Sequence, residues 1–123
     1  MRLEDLNIYN QADELSDRIW ELVNSWDYFK KDTIGKQVVR SADSISANIA
    51  EGYGRYFFKE NRNFCYYSRG SLLETKNWLG KAVRRKIIDQ ESYDKLIQEL
   101  EELHKSLNAY INYITRQSKN QEK

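Results

Sequence analysis

The chain has 123 residues, 40% hydrophobic and 32% charged with a net charge of +1, which fits one globular domain and excludes a second with its own core. The absence of proline and the single cysteine, Cys65, exclude a proline-punctuated loop architecture and any intramolecular disulfide. No apolar run approaches the ~20 residues needed to span a bilayer, and Met1 to Tyr9 is too polar for a signal peptide, so the expected protein is soluble, cytoplasmic and without a membrane partner.

Ile8, Ala12, Leu15, Ile19, Leu22, Val23 and Trp26 recur at three- and four-residue intervals and predict a first helix with one apolar face. Asp13, Glu14, Asp17, Arg18 and Glu21 take the opposite face. The period breaks over Asp27 to Asp32, and Thr33 is the expected cap of a second helix carrying Ile34, Val38, Ala42, Ile45 and Ile49, with Gly52 and Gly54 expected to end it. A third helix is predicted from about Lys59 to Arg85. Its expected apolar face is Phe64, Tyr67, Ser71, Thr75, Trp78, Leu79 and Ala82, with Leu72 and Val83 beside it and Gly70 and Gly80 weakening it. Asp89 or Ser92 starts a fourth, whose stripe runs from Tyr93 through Leu96, Leu100, Leu103, Leu107 and Ile111 to Ile114. The predicted fold class is all-α, an antiparallel up-down-up-down four-helix bundle over residues 1–116, since short connections force neighbouring helices to be antiparallel. Residues 117–123 are expected to form a polar, frayed tail.

Arg40, Ser44, Asn48 and Glu51 make a continuous polar line beside the apolar stripe of the second helix, and Ser71 and Glu74 project on the same side as Tyr67 and Trp78. An unpaired buried polar group costs roughly 1–3 kcal/mol. Arg40 is therefore expected to face Glu51 or Glu74, and Asn48 to bridge the second and third helices. A carboxylate group of this kind also suits acid–base or di-metal chemistry in a bundle core. That chemistry wants Glu-x-x-His pairs from two helices, whereas His104, with Glu101 before it, is the only histidine. No phosphate-binding glycine loop is present, and neither Cys65 nor Ser71 has a histidine near it in sequence. No catalytic residue, metal or cofactor is assigned, and a non-enzymatic protein is expected.

The run from Val39 to Arg55, followed by Phe64 and Arg69-Gly-Ser-Leu-Leu-Glu74, closely resembles the four-helix bundle family named for proteins encoded in intervening sequences of bacterial 23S ribosomal RNA. The resemblance covers nearly the whole chain, with Tyr67-Ser68 standing where the family more often has a small aliphatic pair. It implies assembly as a ring, typically a homopentamer. It also implies kinship with the accessory protein of diversity-generating retroelements, which looks like a basic barrel that binds nucleic acid and a reverse transcriptase. The motif positions carried over are Arg40, Ser44, Asn48, Glu51, Gly52, Gly70, Ser71 and Glu74, with a role in structure, at a subunit interface or in binding.

Charge is unevenly spread. Residues 1–27 carry two basic and seven acidic side chains, net −5; residues 28–88 carry thirteen and five, net +8; residues 89–123 carry five and seven, net −2. Such a basic block marks an anionic partner or simply a solvated, internally balanced face. The candidate nucleic-acid contacts are Arg55, Lys59, Arg62 and Arg69 in one group, and Lys81, Arg84, Arg85 and Lys86 in another. Tyr53, Tyr56, Phe57 and Phe58 adjoin the first group, where they are placed either to stack bases or to pack between subunits. The expected partners are further copies of the chain, RNA or DNA, and a reverse transcriptase or another protein. A protein-binding scaffold with no nucleic-acid role is the alternative.

Overall fold

A computed structural model of the chain describes residues 1–121. Four helices carry the fold: α1 (Asn7–Asn24), α2 (Lys36–Tyr53), α3 (Phe58–Arg84) and α4 (Gln90–Gln121). Helix α1 packs on α2, α2 on α3, α3 on α4, and α4 returns to α1. With short connections this is the up-down-up-down bundle that four amphipathic stripes dictate. Among the described residues there is no strand, and no helix is long and apolar enough to cross a membrane.

The α1, α2 and α4 stripes are buried as their periodicity predicts, with Leu15, Ile19, Val38, Ile45, Ile49, Leu100, Leu107 and Ile114 all essentially inaccessible. The stripe of α3 is the expected one only in its second half, where Thr75, Leu79 and Ala82 are buried. Its buried line is Asn61, Cys65, Ser68, Leu72, Thr75, Leu79 and Ala82, while Tyr67 is 59% exposed and Phe64, Ser71 and Trp78 are only half-buried. The core line of α3 is small and polar because it presses closely on α2. Thr75 Oγ1 donates to Ser41 Oγ at 2.8 Å and Ser68 Oγ to the Ile45 carbonyl at 2.8 Å, so each buried hydroxyl is satisfied and brings the backbones together.

The break after α1 is a change of helical pitch. Tyr28–Lys30 makes one α-helical turn and Lys31–Gly35 a π-helical turn that runs straight into α2. Asp27 is the cap, its Oδ1 accepting from the Lys30 amide at 3.1 Å, and the amide bond holds its carboxyl below the ordinary range. Thr33, the expected cap, lies inside the helix with its hydroxyl donated to the Phe29 carbonyl at 2.8 Å. At the other break Asp89 Oδ1 accepts from the Ser92 amide at 2.7 Å and starts α4.

Gly52 lies within α2 and does not terminate it; the helix runs to Tyr53, and Gly54 follows with an ordinary φ of −77°. Gly70 and Gly80 leave α3 continuous over its 27 residues. Helix α4 also continues past Arg116, where a polar tail is expected from the sequence. Ser118 is buried, and Gln121 Oε1 accepts from the Phe58 amide at 2.9 Å, closing the first turn of α3. Residues 122 and 123 of that expected tail lie outside the described residues.

Candidate functional site

The α2–α3 pairing fixes where the motif residues stand. Ser41 meets Thr75, Ile45 meets Ser68, and Gly52 meets Asn61, an antiparallel register that sets Arg40, Ser44, Asn48 and Glu51 level with Glu74, Ser71, Tyr67 and Phe64. Helical phase puts both lines on the outer edge of the pair, with Ser44, Asn48 and Glu51 on the side away from α1 and α4, while Arg40 also borders a groove against the end of α1. They form one face outside the core, with Arg40, Glu51, Gly70 and Glu74 exposed and Ser44, Asn48 and Ser71 half-buried.

The expected pairing across the helices is therefore corrected. Asn48 Nδ2 donates to the Ser44 carbonyl at 2.8 Å and Ser44 Oγ to the Arg40 carbonyl at 2.9 Å, both within α2. Glu51 takes Arg55 at 2.7 Å, and Glu74 accepts from the Trp78 indole at 3.1 Å. Arg40 enters no ion pair among the described residues. Solvent access removes the desolvation penalty that would force these groups together.

Aromatic rings line the same face. The Arg55 guanidinium lies 4.9 Å from the Phe64 ring centre, Phe64 meets Tyr67 edge to face at 5.6 Å, and the Lys81 ammonium lies 6.0 Å from Trp78. Each geometry is the favourable one for a ring whose face is electron-rich. At the α2–α3 connection, Tyr56 and Phe57 are exposed and touch edge to face at 4.8 Å. Tyr53 turns away to donate to the Met1 carbonyl at 2.8 Å, and Phe58 packs on the core.

The basic candidates fall mainly towards the two ends of α3, with Arg69 near its middle. Arg55, Lys59, Arg62 and Arg69 belong to the first half of α3 and the turn before it, and Lys81, Arg84, Arg85 and Lys86 to its far end. A 27-residue helix at 1.5 Å per residue separates its ends by about 40 Å. In the first group Arg55 is held by Glu51, and Arg69 Nη1 donates to Asn108 Oδ1 at 3.0 Å while its guanidinium stacks over Tyr66. Arg62 has a buried Nε without a partner. In the second group Arg84, Arg85 and Lys86 are exposed and enter no ion pair among the described residues. Lys31 and Lys36, counted in the basic block but not singled out by sequence, lie at this second end, because α2 begins where α3 finishes.

Nucleophilic chemistry has little to work with. Burial pushes the Cys65 thiol up to about 12, leaving it protonated at neutral pH. No group of three or more histidine, cysteine, aspartate or glutamate side chains among the described residues is placed to hold a metal ion.

The sequence profile of the 23S rRNA-intervening sequence protein family matches residues 4–109. The chain belongs to that family. A protein of unknown function from the S23 ribosomal protein family of Bacteroides thetaiotaomicron, solved by crystallography, shares the fold at a TM-score of 0.77 and 26% identity. The match covers 85% of this chain and 97% of that one. No curated protein is significantly similar.

Proposed function

We propose that this member of the 23S rRNA-intervening sequence family is a non-enzymatic accessory scaffold that assembles from several copies through its α2–α3 face and binds nucleic acid with its basic ends. The observation that carries the assembly is Gly70. It lies mid-helix, where glycine costs about 1 kcal/mol relative to alanine, yet a Cβ there would meet nothing within 4 Å. Nothing inside the subunit calls for a glycine, whereas the backbone of a neighbour packed beside the exposed Tyr67 would. A contiguous face of Tyr67, Trp78, Ser71 and Asn48 is also what a subunit interface uses, with aromatic anchors among hydrogen-bonding groups. The family resemblance favours a ring, typically of five copies.

The nucleic-acid reading rests on the exposed Arg84, Arg85 and Lys86, which an assembly would repeat in every copy and so concentrate on one surface. Light scattering tests the assembly: the expected mass is several multiples of 14.7 kDa, and a monomer at micromolar concentration would sink it. Titration of an RNA or DNA duplex at increasing salt tests the binding, which is expected to weaken steeply with a slope that counts phosphates. The second reading, a protein-binding scaffold, is favoured by the engagement of Arg55 and Arg69 within the chain. It would be supported by a partner retained at high salt and after nuclease treatment.

A further inference from the structure

Where α1 ends and the π-helical turn leads into α2, a groove of ≈ 360 Å³ opens on the surface. Its lining is mostly apolar: Val23, Val39 and the indole of Trp20, which stays 59% exposed. Trp20 stands at the margin of the apolar stripe of α1, outside the core cluster, and its ring is open to a ligand in the groove. Gly35 lets the turn lie directly on α1. A Cβ there would stand 2.7 Å from Val23 Cγ1, so a side chain would push the two elements apart and reshape the groove. The π turn itself is a rare local geometry, frequent at functional sites.

The polar lining is of one sign. Lys31, Lys36 and Arg40 border the groove with the amide of Asn24, and no carboxylate lines it. Lys36 is held by Asp32 at 2.9 Å, while Lys31 and Arg40 enter no ion pair among the described residues. An apolar, ring-bearing slot bordered by cations fits a ligand that joins a flat apolar group to an anion. Its volume is at the small end of the range for ligand sites, about 300–1,000 Å³, which suits one ring and not a stack of several.

We propose that this groove takes one unpaired base of a single-stranded nucleic acid against Trp20, with the flanking phosphates on Lys31 and Arg40. This rests on the nucleic-acid reading above and adds to it a preference for bases that are free to leave a duplex. A paired base is enclosed by its neighbours in the stack and cannot reach the indole. Base stacking on an aromatic side chain is tolerant of sequence, so the site discriminates strandedness and not base identity.

The test compares a short oligothymidylate with an abasic strand of equal length and equal phosphate number, each titrated onto the intact protein at low salt. The wild type is expected to bind the base-bearing strand roughly tenfold more tightly. Trp20→Ala should remove that preference while still binding the abasic strand as the wild type does, and Trp20→Phe should retain part of it. Lys31→Gln should weaken both strands and lower the salt slope by about one. Equal wild-type affinity for the two strands, or a preference that survives Trp20→Ala, would overturn the groove while leaving the electrostatic reading intact. Binding of neither strand at low salt would overturn both. A change of solution mass in Trp20→Ala would identify the groove as the seat of another subunit and would also overturn it.

Discussion

A Cβ on Gly52 would lie 2.6 Å from Asn61 Oδ1 and 2.9 Å from Phe64 Cβ, so this motif glycine exists to let α3 approach α2. Gly52→Ala is expected to lower the stability of the folded subunit by roughly 1–3 kcal/mol, the usual range for overpacking a tight contact, as measured by denaturant titration. Gly70→Ala should do the reverse within the subunit, gaining about 0.5–1 kcal/mol of helix stability, while reducing the assembled fraction seen by light scattering. If Gly70→Ala leaves assembly untouched, the face is not an interface. Titration offers a third residue-level test. Partial burial, followed by the nearby Asp17 and Asp13, raises the Asp43 carboxyl above its ordinary value. A raised folded value means the protonated form is favoured in the folded chain, so stability falls as pH climbs from the ordinary carboxyl range through the raised value. Asp43→Asn should therefore melt slightly higher than the wild type at pH 7, and the gap should close in acid.

Helix α3 shows where elements were legible in sequence and where they were not. The stripes of α1, α2 and α4 consist of large aliphatic residues, so period alone identified their buried faces. In the first half of α3 the rings of Phe64 and Tyr67 outweigh Asn61, Cys65 and Ser68 in the sequence pattern, although the smaller residues face the core. A line of small residues at helical spacing was the available signal, since close helix packing needs small side chains. Turning α3 by its rings also brings Glu74 toward the core and so predicts a pairing with Arg40 that does not form. The extension of α4 to Gln121 was illegible because its anchor is a side-chain amide reaching the first turn of α3, a tertiary contact without a period. The end of α3 gives a prediction of its own. The amides of Ile87 and Lys86 donate to the carbonyls of Ala82 and Val83 at 2.8 and 3.1 Å, which is a Schellman closure with Lys86 in the left-handed position at φ 60°. Glycine is the usual residue there, so Lys86→Gly should stabilise the fold by about 0.5–1 kcal/mol after allowing for its greater freedom when unfolded. Under the proposed function the same change should weaken nucleic-acid binding, and a stabilised variant with undiminished affinity would show that Lys86 contacts no phosphate.

At the scale of the whole molecule, Arg55, Lys59 and Arg62 stand at one end of a helix about 40 Å long and Arg84, Arg85 and Lys86 at the other, too far apart to act as one short site. They can therefore be tested separately. The group at the α2–α3 turn has one charge paired, Arg55 by Glu51, whereas Arg84, Arg85 and Lys86 are exposed at the end of the bundle where α2 begins. Fixed charges with nearby counter-charges release fewer counterions on binding. Replacing Arg84, Arg85 and Lys86 by glutamine is accordingly expected to lower affinity for unrelated sequences alike and to reduce the salt slope by about three. Replacing Arg55, Lys59 and Arg62 should reduce it by less. Of the replaced residues only Lys59, Arg62 and Arg84 lie within α3, where glutamine matches the helix propensity of arginine and lysine, so circular dichroism should show unchanged helicity in both variants. Two outcomes would turn the assignment around: a larger slope change in the Arg55 variant would move binding to the opposite end, and wild-type binding by both variants would leave the protein-scaffold reading in place.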